Sequence, residues 1–120
     1  MTRILLLEND ADLSVIAKTT LEDAGYDVDV TSTVAQAIEH TRAQRPDLAV
    51  VDLLLDAESG WDYVRWVRKQ AGAQRVAAYS VHHDEEMHLA RARELNVDAL
   101  VAKTGDPSDL VRLVAELLQK

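Results

Sequence analysis

The sequence predicts an α/β fold, a doubly wound parallel sheet of five strands covered on both faces by five helices. Short apolar runs recur along the chain, amphipathic segments with helix start and stop signals lie between them, and the length suits one unit. Four runs read as strands buried on both faces: Ile4-Leu5-Leu6-Leu7, Leu48-Ala49-Val50-Val51, Val76-Ala77-Ala78-Tyr79 and Ala99-Leu100-Val101-Ala102. Strands that alternate with helices run parallel, because a parallel neighbour is reached through a right-handed crossover. At 120 residues the chain can bury a substantial core and has no room for a second domain of ordinary size, so one domain over residues 1–120 is expected.

After the first strand, Leu13, Ile16, Ala17, Leu21 and Ala24 recur at helical spacing and stop at Gly25, a natural left-handed end residue. From Tyr26 to Val30, Asp27 and Asp29 alternate with Val28 and Val30, the pattern of a half-exposed edge strand. Thr33 with Gln36 three residues later is a capping box, opening a helix that should finish before Pro46. The third helix is expected from Ser59 or Gly60 to about Lys69, with Val64 and Val67 in the core and one of Trp61 and Trp66 exposed. The fourth is expected from Asp84 to Leu95. His82, His83 and His88 lie at its start and read as a solvated helix end, since positions 83 and 88 do not share a face. Asp106 and Pro107 supply an N-cap and a first-position proline for the fifth helix. Its stripe of Leu110, Val111, Val114, Leu117 and Leu118 reads as core, with a rim that could also meet a partner.

An edge position for the second strand gives the flavodoxin-like order 2-1-3-4-5. Sheets of this kind bind ligands outside the carboxyl ends of their strands, at the switch point between strands one and three. The residues expected there are Glu8, Asn9 and Asp10 after the first strand, Asp52 at the end of the third, Ser80 after the fourth and Lys103 after the fifth.

Composition narrows the choice of function. With 21 acidic against 13 basic side chains and a net charge of −8, the surface would repel a phosphate backbone, which argues against a nucleic-acid partner. The absence of cysteine removes thiol nucleophiles and thiolate zinc sites. No apolar run approaches a membrane span, and Glu8 and Asp10 interrupt the first one too early for a signal peptide, so a cytoplasmic protein is expected.

Three carboxylates and an amide on one crevice would make a hard, oxygen-only site suited to Mg²⁺. A carboxylate at its centre could attack a phosphoryl group and become an aspartyl phosphate. Lys103 would offer a point charge to a phosphoryl oxygen, and Ser80 a hydrogen bond.

At these residues the chain resembles the receiver domains of two-component signalling, along essentially its whole length. Pro46 to Leu55 with Gly60 eight residues beyond Asp52 looks like the family's phosphoacceptor motif, and Ser80 and Lys103 match its hydroxyl and lysine positions. The resemblance implies Asp52 as phosphoacceptor with Lys103 and Ser80 as its catalytic partners, and Mg²⁺ held by Glu8, Asn9, Asp52 and the Leu54 carbonyl. It implies a sensor histidine kinase or phosphotransfer protein as donor. The output would be a downstream partner or self-dimer formed through the fourth helix, fifth strand and fifth helix. Such a domain catalyses only its own phosphorylation and dephosphorylation.

Several positions depart from the family pattern. Asn9 stands in place of an acid, which should weaken metal binding; Asp56 and Thr104 replace prolines; Val81 is bulkier than usual; Leu100 replaces an aromatic toggle. These departures motivate an alternative, a pseudo-receiver that binds partners regardless of phosphorylation. A flavin-binding protein of the same topology is a second rival, but Glu8-Asn9-Asp10 would repel the flavin's phosphate.

Overall fold

Four apolar runs and one alternating segment become strands, each long enough to cross a core and too short for a buried helix. In the computed structural model, which describes residues 1–70, 72–81, 85–104 and 106–119, they are β1 (Arg3–Leu7), β2 (Asp27–Thr31), β3 (Leu48–Asp52), β4 (Val76–Ser80) and β5 (Ala99–Ala102). All pairs are parallel and the order is β2-β1-β3-β4-β5, as the sequence predicts. His82, His83 and Asp84 lie outside the described residues.

The helices α1 (Ala11–Asp23), α2 (Val34–Ala43), α3 (Gly60–Gln70), α4 (Glu86–Glu94) and α5 (Pro107–Leu118) cover the sheet in two layers. One apolar cluster joins Leu5, Leu7, Val51 and Val76 to Ala37, Trp61 and Val64; the other joins Ile4, Leu6, Val50 and Ala77 to Leu21, Val114 and Leu117. Alternate strand residues thus serve opposite layers, as the period of two requires. Thr33 caps α2 by accepting from the Gln36 N–H at 3.1 Å, while Gln36 reaches back to the Ser32 N–H at 2.9 Å, one residue earlier than in the usual box. Gly25 follows α1 with φ +100°, a conformation that Cβ-bearing residues rarely adopt.

Four expectations are corrected. β5 is the second edge of the sheet and is only half-buried, with Ala102 exposed, so it is not enclosed on both faces. In α1 only Leu21 is buried, and Ile16 and Ala24 face solvent. In α3 both Trp61 and Tyr63 join Val64 and Val67 in the core, and Trp66 is half-buried, so neither Trp is exposed. His88 is no solvated residue: it is 3% exposed, and its Nδ1 accepts a 3.0 Å hydrogen bond from the Trp61 Nε1–H. That bond ties α4 to the start of α3.

Candidate functional site

The ends of β1, β3, β4 and β5 bring Glu8, Asp52, Ser80 and Lys103 to one end of the sheet. Glu8, Asp52 and Ser80 are almost fully buried, at 2%, 3% and 0% exposure. The β5 register, with Ser80 opposite Ala102, sets Lys103 one residue past the strand, where its N–H donates to the Ser80 carbonyl at 3.1 Å. The loop beyond is fixed by Thr104, whose hydroxyl donates to Asp109 at 2.9 Å and accepts from the Asp106 N–H at 3.2 Å. Two polar groups therefore shape the turn where the resemblance implies a proline.

Lys103 Nζ lies between the two buried carboxylates, 2.8 Å from Glu8 Oε1 and 3.0 Å from Asp52 Oδ2. The other Asp52 oxygen, Oδ1, accepts from the Leu54 N–H at 3.0 Å, which fixes the carboxylate plane. Gly60 packs under the same strand end. A Cβ there would run into the Asp52 carbonyl oxygen and lie 2.9 Å from Val51 Cγ1, so only glycine fits.

Charge crowding governs the pocket. Burial pushes the Asp52 carboxyl up to about 6; neighbouring Glu8 adds to the rise, and the Leu54 N–H and Lys103 oppose it. Burial works against the Glu8 charge too, yet hydrogen bonding with Lys103, Asp52, Tyr79 and the Asp10 N–H together holds Glu8 below the usual carboxylate range. Burial also opposes the Lys103 charge, and the two carboxylates outweigh it and raise its pKa.

Asp10 does not join the cluster. It is the N-cap of α1, accepting from the Leu13 N–H at 3.0 Å, so two carboxylates converge rather than three. Among the described residues no three His, Cys, Asp or Glu side chains gather into a metal cluster of their own. Asn9 is half-buried in the loop between Glu8 and Asp10. Leu54 forms an isolated bridge with Ser59, Val81 is exposed, and Leu100 packs against the same apolar cluster as Ala92 and Leu95.

Tyr79 is the pocket residue that sequence reasoning missed. Its hydroxyl donates to Glu8 Oε1 at 2.9 Å, and Lys103 Nζ stands 5.1 Å from its ring centroid. The available signal was an aromatic with a polar tip, one residue before Ser80, in an otherwise aliphatic strand.

The family model of the response regulator receiver domain matches residues 4–115 of this chain. The chain is a response regulator receiver domain. Such domains belong to two-component systems, and the curated relatives carry corresponding names. The DNA-binding response regulator MtrA of Mycobacterium leprae is 29% identical over 118 residues, covering 98% of this chain and 52% of the relative. The alkaline phosphatase synthesis transcriptional regulatory protein PhoP of Bacillus subtilis is 25% identical over 118 residues, covering 98% and 49%. This receiver domain thus spans about half the length of those relatives. Among solved structures, a CheY-like receiver domain protein from Methanospirillum hungatei JF-1 superposes with TM-score 0.91 at 21% identity, covering 99% of this chain and 94% of that one. The non-phosphorylated HemR receiver domain of Leptospira biflexa does so with TM-score 0.91 at 24% identity, covering 100% and 96%. At those identities the likeness shows the CheY-like fold alone.

Proposed function

We propose that this receiver accepts a phosphoryl group on Asp52 and passes the change to the surface formed by α4, β5 and α5. The observation that carries this reading is the Lys103 ammonium shared between buried Glu8 and buried Asp52 at the sheet's switch point. Asp52 supplies the nucleophile: attack by a carboxylate oxygen on phosphorus breaks the bond to the donor and leaves an acyl phosphate. The donor is a histidine-kinase phosphohistidine, a phosphotransfer protein or a small acyl phosphate. Lys103 offers its charge to a phosphoryl oxygen, and Ser80 stands on the adjoining strand end to donate a hydrogen bond.

Two buried carboxylates facing one ammonium leave negative charge uncompensated, so the donor set fits a hard cation. The residues that would hold Mg²⁺ are Glu8, Asn9, Asp52 and the Leu54 carbonyl, with less charge than a site bearing an acid at position 9. When bound, the ion would neutralise charge on the phosphoryl oxygens.

Phosphorylation places a dianion where Lys103 now meets Asp52, at the strand end beside Ser80, and Lys103 and Ser80 each lead directly into β5, α5 or α4. Exposed Met87 and Leu89 on α4 and the half-buried β5 offer a face for a downstream partner or a second copy. The net charge of −8 argues against direct nucleic-acid contact. DNA binding is named for MtrA, not for this chain. Among the described residues no helix is long and apolar enough to cross a membrane, which supports a cytoplasmic setting. The domain catalyses only its own phosphorylation and dephosphorylation. Asn9 favours the alternative of a pseudo-receiver, but the Lys103 bridge to Asp52 speaks against it.

Amide hydrogen exchange on the free domain and on its Mg²⁺–beryllofluoride form, in which the beryllofluoride group stands in for the phosphoryl group, tests the reading. Exchange is expected to change between Ser80 and Gln119. A change confined to residues 26 to 45, or none at all, would contradict it.

A further inference from the structure

Glu8 carries an unusual load of hydrogen bonds. Its Oε1 accepts from the Tyr79 hydroxyl at 2.9 Å and from Lys103 Nζ at 2.8 Å, and its Oε2 accepts from the Asp10 N–H at 3.2 Å. A carboxylate has about four lone-pair positions, so few remain for any other partner. Of the three donors, Lys103 is shared with Asp52 and sits at the end of a flexible stem, and the Asp10 N–H is fixed backbone. Tyr79 differs from both. It is 7% exposed within the apolar layer of Ile4, Val50, Ala77 and Val114, and it stands opposite Asp52 in the β3–β4 register. Burial, with the negative charges of Glu8 and Asp52 beside it, pushes the phenol's pKa up, so it remains a donor. A Glu8 oxygen that turned to a cation would leave this hydroxyl without its acceptor, at a cost that opposes the turn.

We propose that Tyr79 is a positioning residue that holds Glu8 back from a bound cation, and so keeps the Mg²⁺ affinity of this receiver low. The proposal rests on the reading of the pocket as an Mg²⁺-assisted phosphoacceptor site, and it makes the weakness of that site a property of two residues, Asn9 and Tyr79. The phenol and the lysine act on the same Glu8 oxygen, while the ring of Tyr79 faces Lys103 Nζ at 5.1 Å. One side chain thus anchors both the carboxylate meant for the metal and the ammonium meant for the phosphoryl group.

Tyr79→Phe separates these roles, because it removes the hydroxyl and keeps the ring beneath Lys103. Calorimetric titration of MgCl₂ into the unphosphorylated domain is expected to give a dissociation constant about three- to tenfold lower in Tyr79→Phe than in the native protein, a fraction of the strength of a hydrogen bond to a charged acceptor. Tyr26→Phe, at a half-buried tyrosine just before β2, is expected to leave the constant unchanged. A merely structural role would weaken binding or leave it alone. Equal or weaker binding in Tyr79→Phe, or no measurable binding in either protein, would overturn the proposal. The phosphoryl adduct on Asp52 is read separately by mass. A native domain that shows the expected Mg²⁺ effect but takes no phosphoryl group would overturn the functional reading instead.

Discussion

Asp52→Asn is expected to lose the phosphoryl adduct entirely and, at pH 7, to unfold with a free energy about 1–2 kcal/mol higher than the native domain. The two effects have one cause. Asp52 is 3% exposed and sits beside Glu8, and its carboxyl is pushed up to about 6 from an ordinary value of 3.8. A raised carboxyl binds its proton more tightly in the folded state than in the unfolded one. Its ionised form therefore destabilises the fold at pH 7, and that penalty fades as pH falls from about 6 toward 3.8. An amide removes the charge and keeps an oxygen that can accept from the Leu54 N–H. The rise to about 6 is already net of the opposing pull of Lys103. An amide that keeps its oxygen toward the Leu54 N–H turns its NH₂ toward the Lys103 ammonium, which keeps the expected figure below the full shift. Urea unfolding at pH 7 and pH 5 should show the difference between native and variant shrinking at the lower pH. A variant less stable than the native domain at pH 7 would mean that Lys103 more than compensates Asp52.

Lys103→Met is expected to act in the opposite direction and to lower stability at pH 7 by about 3 kcal/mol, the cost typical of stranding charge by removing one partner of a buried pair. Glu8 and Asp52 then face each other without the cation that lies between them. Lys103 and Glu8 contribute little pH dependence between pH 5 and 8. The raised lysine contributes stability below its ordinary value of 10.5, and the lowered glutamate contributes it above 4.5. In the variant both Asp52 and Glu8 lose the lysine that opposes their burial, so both carboxyls rise and add to the pH dependence in this window. Its deficit should narrow as pH falls from 7 to 5. An equal deficit at both values would show that the methylene stem of Lys103, not its charge, is what the fold needs.

All ten secondary-structure elements were legible because each carries a local signal: apolar runs, the Thr33 cap, Gly25, and Asp106 with Pro107. The exposure of β5 was not, since Ala-Leu-Val-Ala reads like an interior strand and only the sheet order puts it at an edge. Asp52, Glu8, Ser80 and Lys103 could be placed because strand ends in this topology converge. Asp10 could not be resolved from sequence: an acid before a helix can face the crevice or cap the helix, and local backbone geometry decides for the cap. Contacts between distant elements lay beyond reach. Tyr79 meets Glu8 across 71 residues and Trp61 meets His88 across 27, and no periodicity encodes either pairing.

The central claim concerns which atom receives the phosphoryl group, and borohydride trapping tests it most directly. The domain is incubated with acetyl phosphate and Mg²⁺, reduced so that an acyl phosphate becomes an alcohol, and mapped by peptide mass. Conversion at position 52 alone, absent when the phosphodonor is omitted, is the expected result. Conversion at Glu8 or elsewhere, or none despite Mg²⁺ and excess phosphodonor, would contradict the assignment of Asp52 as phosphoacceptor.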